Sequence, residues 1–132
     1  MTDRNLIGMA SDVMANSYSP YSRFKVGAAI ECADGAVFTG CNIENVSFGA
    51  TICAEASAIA SAVSAGKRKF KRIAITSEGS MYCFPCGKCR QLLSEFAPDI
   101  EVLCSRADGR YVSYSLSSLF PMAFGKEHIG NS

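Results

Sequence analysis

Apolar residues recur at three- and four-residue steps near the start of the chain, at Leu6, Ile7, Ala10, Val13 and Met14, with Ser17 on the same stripe. That period predicts an amphipathic helix over residues 3–17, with Asp3 where an N-cap is wanted. Pro20 disfavours helical geometry at Ser19 and ends the pattern. From Phe24 the period drops to two. Phe24, Val26, Ala28, Ile30 and Cys32 share one face, while Lys25, Gly27, Ala29 and Glu31 share the other. Asp34-Gly35 and then Val37-Phe38-Thr39-Gly40 follow, which together predict a hairpin. The Ala-Asp-Gly triplet returns at 107–109, between residues 100–104 and 111–114, and predicts a second hairpin.

Two further helices and a strand lie between the hairpins. The Ala-rich stretch from Cys53 to Ala65 stops at Gly66, a natural residue just past a helix end. Residues 71–76 read as a short buried strand, and Cys86 to Phe96 as a helix closed by Pro98. Helix, hairpin, helix, strand, helix, hairpin predicts an α/β fold: a three-layer α/β/α sandwich on a mixed five-stranded sheet. No repeat, linker or low-complexity segment divides it, so a single domain is expected over 1–132.

Composition narrows the function classes. The chain has 132 residues, 48% of them apolar, and 13 Lys+Arg against 12 Asp+Glu. So balanced a charge excludes holding nucleic acid or an anionic membrane by field alone. The one basic run, Lys67-Arg68-Lys69 with Lys71 and Arg72, reads as a solvated loop. No apolar run is long enough for a membrane span, and residues 1–5 do not begin a signal peptide. A cytoplasmic chain without membrane or nucleic-acid partners is expected.

Seven cysteines and a single histidine, His128, change the picture. An odd number cannot all pair, and a chain of this size folds without disulfide staples. Cys32, Cys41 and Cys104 fall in strands and read as core hydrophobes. Cys86 and Cys89 stand at i and i+3 on the first turn of a helix, about 60° apart around its axis, and can share one ion. Thiolates are favoured there by the helix dipole. Cys53 opens the other helix. Within a helix, positions 53 and 55 would face about 200° apart, so Cys53 must lie at the very start for Glu55 to aim at the same ion. Three thiolates with an open fourth position describe a catalytic zinc site. Glu55, not a ligand, is then the candidate acid/base.

Cys-Ala-Glu followed about thirty residues later by Pro-Cys-x-x-Cys resembles the zinc deaminase signature. The chain resembles the cytidine deaminase family, in its short, three-cysteine, homotetrameric branch, from about Tyr18 to Gly125. Residues 22–29 are similar to the family's first-strand segment, which implies that Phe24 stacks on a pyrimidine. Residues 40–45 are similar to its ribose-binding segment, which implies that Asn42 and Glu44 hold a sugar hydroxyl. The likeness further implies an Ala54 N–H on the ring carbonyl and a Phe124 that reaches a neighbouring subunit's site. The implied activity is hydrolytic deamination of cytidine and 2′-deoxycytidine in pyrimidine salvage, with one Zn²⁺ per subunit. Three positions depart from the pattern. Ala56 stands where many members carry Arg, Phe48 where Tyr is common, and Lys88 where a small residue is usual. Arg90, next to Cys89, is then the expected cation balancing the sulfurs.

Other readings of the same residues stay open. Cys83, Cys86 and Cys89 are spaced as in an iron–sulfur run, although Leu93 replaces the fourth Cys and no Pro follows. A redox use of Cys86 and Cys89 leaves Cys53 and Glu55 unexplained. A closed structural zinc site would need Cys83 as fourth ligand. A deaminase of another small amine, a polynucleotide deaminase and a non-catalytic zinc module complete the set.

Overall fold

Thr2, not Asp3, caps the first helix. In the computed structural model, which describes residues 1–130, α1 spans Asp3–Met14. The Thr2 side chain accepts from Asn5 N–H while Asn5 reaches back to the Thr2 backbone. This reciprocal box satisfies two of the donors a helix start leaves open. Asp3 is released to bond the Arg72 guanidinium and the Tyr111 hydroxyl. The helix ends before Ser17, which instead turns into the loop and donates to Asn42.

The hairpins form as the alternation predicts. β1 (Val26–Cys32) and β2 (Val37–Cys41) turn through Gly35, whose φ of 92° suits glycine. β1 starts two residues after Phe24 because Arg23 just before it is left-handed, at φ 58°. α2 (Ala54–Ser64) leads to β3 (Phe70–Ser77), and α3 (Gly87–Phe96) crosses to β4 (Glu101–Ser105), which turns into β5 (Tyr111–Ser115). A single-turn helix, α4 (Leu116–Leu119), follows. The sheet order is β2-β1-β3-β4-β5, antiparallel except for β3–β4. The mixed five-stranded sheet is therefore as expected, its one parallel pair made possible by the α3 crossover.

Both faces of the sheet are covered. Ala28, Ile30, Ile73, Ile75 and Val102 pack under α2 and α3, while Ala29, Ala74 and Leu103 pack under α1. Two glycines set how closely the helices approach. A Cβ on Gly27 would lie 2.0 Å from Ala10 O of α1, and one on Gly40 would lie 2.4 Å from Ala58 N and 2.8 Å from Ala54 O of α2. Gly40 thus fixes the seat of the helix that begins at Cys53.

The basic run is not uniformly solvated. Lys67 pairs with Asp34 at 2.7 Å and Arg68 bonds Val63 O at 3.0 Å. Arg72 is buried, with Nε 2.6 Å from Glu31 on the neighbouring strand and Nη1 on Asp3. Glu31 and Arg72 stand opposite each other in the β1–β3 register, so the sheet itself makes the pair.

Gly40→Ala should lower stability by about 1–3 kcal/mol, since backbone rather than a flexible side chain meets the new methyl. Gly8→Ala in exposed α1, where a Cβ meets nothing within 4 Å, should raise it by about 0.5–1 kcal/mol. Chemical unfolding curves of the two variants beside the parent check both signs.

Candidate active site

Cys53 and Cys86 are the N-cap residues of α2 and α3, both extended, with φ/ψ of −73°/155° and −68°/168°. Neither side chain caps its own helix. Both sulfurs are therefore free to point away from the helix start. Extended geometry at position 53 resolves the angular problem posed by the Cys-x-Glu spacing. Cys89, in the first turn of α3, completes the group: the three sulfurs lie within 4.8 Å of one another. Cys53 Sγ and Cys86 Sγ are 3.8 Å apart. Tetrahedral zinc with bonds of about 2.3 Å sets its sulfurs about 3.8 Å apart. The donor set therefore fits zinc in type and spacing.

Among the described residues no fourth ligand joins this group. Cys83, the candidate for closing it, is pushed up to about 11 by burial, with the charge of Glu55 adding. It is kept out of the cluster, and its N–H bonds Ser105 O at 3.0 Å. The closed four-thiol reading thereby loses its fourth sulfur, and the iron–sulfur run loses its first.

The sulfurs share charge as a unit. Hydrogen bonds from Cys89 and then Cys86, helped by the positive charge of Lys88, bring the Cys53 thiol down to about 6. Cys89 is pushed up by donating to Cys53 and by burial. Two helix N-termini aimed at one point favour this negative charge. Glu55, second residue of α2, is 5% exposed. Burial pushes its carboxyl above the usual carboxylate range, and the Cys53 charge pushes the same way. A carboxyl so placed holds a proton to higher pH than an exposed one, which suits an acid/base that must take and return it. Ala54, first in the helix, is buried, and its N–H belongs to the set with no intrahelical acceptor.

The remaining expected residues divide. Asn42 is buried and its amide is largely engaged. Its Oδ1 accepts from Val26 N–H at 2.9 Å and from Ser17, and its Nδ2 donates to Phe24 O at 2.8 Å. One N–H remains for a ligand. Glu44 lines a cavity of about 420 Å³ with Tyr21, Ser22, Asn45, Phe48 and Thr51. Its carboxyl is held below the usual range by the Ser22 hydroxyl and the Ser22 and Tyr21 N–H groups. Phe24 is 45% exposed, as a stacking surface must be. Phe124 lies elsewhere, stacked on His128 at 5.5 Å with its carbonyl accepting from Gln91 of α3.

Arg90 is used differently from the expectation. Its Nε donates to Pro85 O at 2.8 Å and its Nη1 to Leu119 O, so it braces the approach to α3. Lys88, the departure between the two cysteines, is the cation whose charge bears on Cys53. Sequence reasoning gave Ser22 no role of its own. The only signal was a serine two residues before an aromatic, the spacing of a hydroxyl turn.

Residues 1–104 match the family description "Cytidine and deoxycytidylate deaminase zinc-binding region". A cytidine deaminase of Halalkalibacterium halodurans is 39% identical over 132 residues, 99% of this chain and 100% of that one. A crystal structure of cytidine deaminase from Burkholderia pseudomallei superposes with a TM-score of 0.91 at 43% identity, over 94% of this chain and all of the other. The cytidine deaminase structure from Mycobacterium tuberculosis gives 0.82 at 40% identity, over 95% and 99% of the two chains.

Cys83→Ala should retain one zinc per chain, whereas Cys89→Ala and Cys86→Ala should lose it. Metal analysis of the purified variants decides, and zinc retained by Cys89→Ala would remove that residue from the ligand set.

Proposed function

This chain belongs to the cytidine and deoxycytidylate deaminase family, and from that membership we propose that it hydrolyses cytidine and 2′-deoxycytidine to the uridine counterparts and ammonia. The observation that carries the reading is three sulfurs at two helix starts with a buried, protonatable Glu55 beside them. Cys53, Cys86 and Cys89 would hold zinc, which would supply the Lewis acidity that makes water a nucleophile near neutral pH.

The chain's own residues do the rest. The reaction forms a C4–O bond and breaks the C4–N bond, so water must yield two protons, one to ring N3 and one to the departing amine. Glu55 carries both in turn, taking each on its carboxylate and returning it to nitrogen. Its burial makes the carboxylate a stronger base than an exposed one. Ala54 N–H meets the ring carbonyl, and the exposed ring of Phe24 stacks on the pyrimidine. Asn42 offers its remaining N–H, and Glu44 accepts from a sugar hydroxyl. An ionised Glu44 also disfavours a 5′-phosphate, which supports nucleosides over nucleotides.

Phe124 lies along α3 with 60% of its surface exposed. In a homotetramer, Phe124 of the partner subunit would complete the base site. All seven cysteines are unpaired, which fits a reducing, cytoplasmic setting; the salvage role follows from the family likeness alone.

Glu55→Gln should keep zinc and the fold while turnover falls by about 10²–10⁴-fold. The loss of ultraviolet absorbance on incubation with cytidine, read beside a metal analysis, tests this. Near-parent turnover in a zinc-loaded Glu55→Gln protein would end the acid/base assignment.

A further inference from the structure

The left-handed backbone at Arg23 is uncommon for a residue with a side chain and needs support from its surroundings. Arg23 N–H donates to Ser19 O at 2.9 Å, and the reversal places Ser22 between two partners. The Ser22 hydroxyl donates to one oxygen of Glu44 and accepts from Phe24 N–H at 3.0 Å. A carboxylate only accepts and an amide N–H only donates, so this hydroxyl has one orientation. The other Glu44 oxygen accepts from Tyr21 and Ser22 N–H groups at 2.9 and 3.1 Å. Phe24 O is held in turn by Asn42 Nδ2. The base platform and both sugar contacts are thus one hydrogen-bonded unit, with Ser22 at the joint.

We infer that Ser22 is a positioning residue that fixes the Glu44 carboxylate for the sugar and couples it to the backbone of Phe24. The inference rests on the reading of Glu44 as a sugar contact. Glu44 is a half-buried side chain on a loop; backbone N–H groups hold one of its oxygens, and the Ser22 hydroxyl fixes the other. Ordering it in advance lowers the entropy lost on binding. Its contact with the sugar is made equally in the ground and transition states, so its loss falls on KM rather than kcat.

The test is steady-state kinetics on the zinc-loaded protein with cytidine and with 2′,3′-dideoxycytidine, whose sugar lacks both ring hydroxyls. Ser22→Ala should raise KM for cytidine about tenfold with kcat within about twofold. Ser22→Thr, which keeps a hydroxyl, should recover most of the loss. With the dideoxynucleoside, Ser22→Ala and the parent should agree within about twofold in kcat/KM. An equal loss on both nucleosides would mean that the hydroxyl serves only the turn at Phe24, and unchanged kinetics would mean that it serves nothing in binding; either overturns the inference. Glu44→Gln separates the two levels. If it abolishes the preference for the intact sugar while Ser22→Ala preserves it, only the role of Ser22 falls. If Glu44→Gln also keeps that preference, the sugar reading of Glu44 falls and takes Ser22 with it.

Discussion

Sulfur crowding is the constraint on which the rest of this structure depends. Three thiols within 4.8 Å cannot all ionise without a cation. Cys53 comes down to about 6 because its neighbours donate to it, while Cys89 is driven up for donating. A divalent ion resolves the conflict by displacing the shared protons, so metal affinity and proton release are linked. The sheet makes the crowding possible. Gly40 lets α2 lie directly on β2, and α3 begins at Gly87, after the loop that leaves β3 at Ser77. Two helix N-termini then face one point, and their dipoles favour the charge gathered there.

Much of this was legible because periodicity reports burial. The switch from helical stripe to alternation at Phe24, the two Asp-Gly turns and the Gly66 stop each have a local cause, and each element appears within a few residues of where it was expected. The sulfur cluster was legible for a different reason. The expectation that Glu55 and Cys53 serve one ion, set against helical geometry, puts Cys53 outside the helix, and its ψ of 155° places it there. Misreadings at the edges were equally local. Thr2 outcompetes Asp3 as cap because Asn5 can answer it, and a capping box depends on a pair rather than on one residue.

What could not be read was long-range pairing. Nothing near Arg72 in sequence says that it stands across from Glu31 in a sheet register and beneath Asp3 of α1. Its neighbours Lys69 and Lys71 are exposed, and a run of like charges conceals the one member whose alternation turns it inward. Asn42 is a similar case. Its type suggests a ligand contact, yet most of its amide holds Phe24 O and Val26 N–H in place. A side chain can brace the loop and still serve a substrate, because an amide carries two donors and only one is used here.

Charge balance around the sulfurs shows how the two kinds of information combine. Three thiolates and one zinc leave a net negative charge, which opposes loss of a proton from water. Arg90, adjacent to a ligand in sequence, is tied to Pro85 O and Leu119 O, and its charge bears on buried Cys104. Ala56 brings no cation from α2. Lys88 does so from α3, lowering Cys53, although a cation at the second position of a helix works against the dipole. On a polar surface that placement would simply cost stability. Beside three sulfurs part of that cost is offset by the negative charge it meets at Cys53.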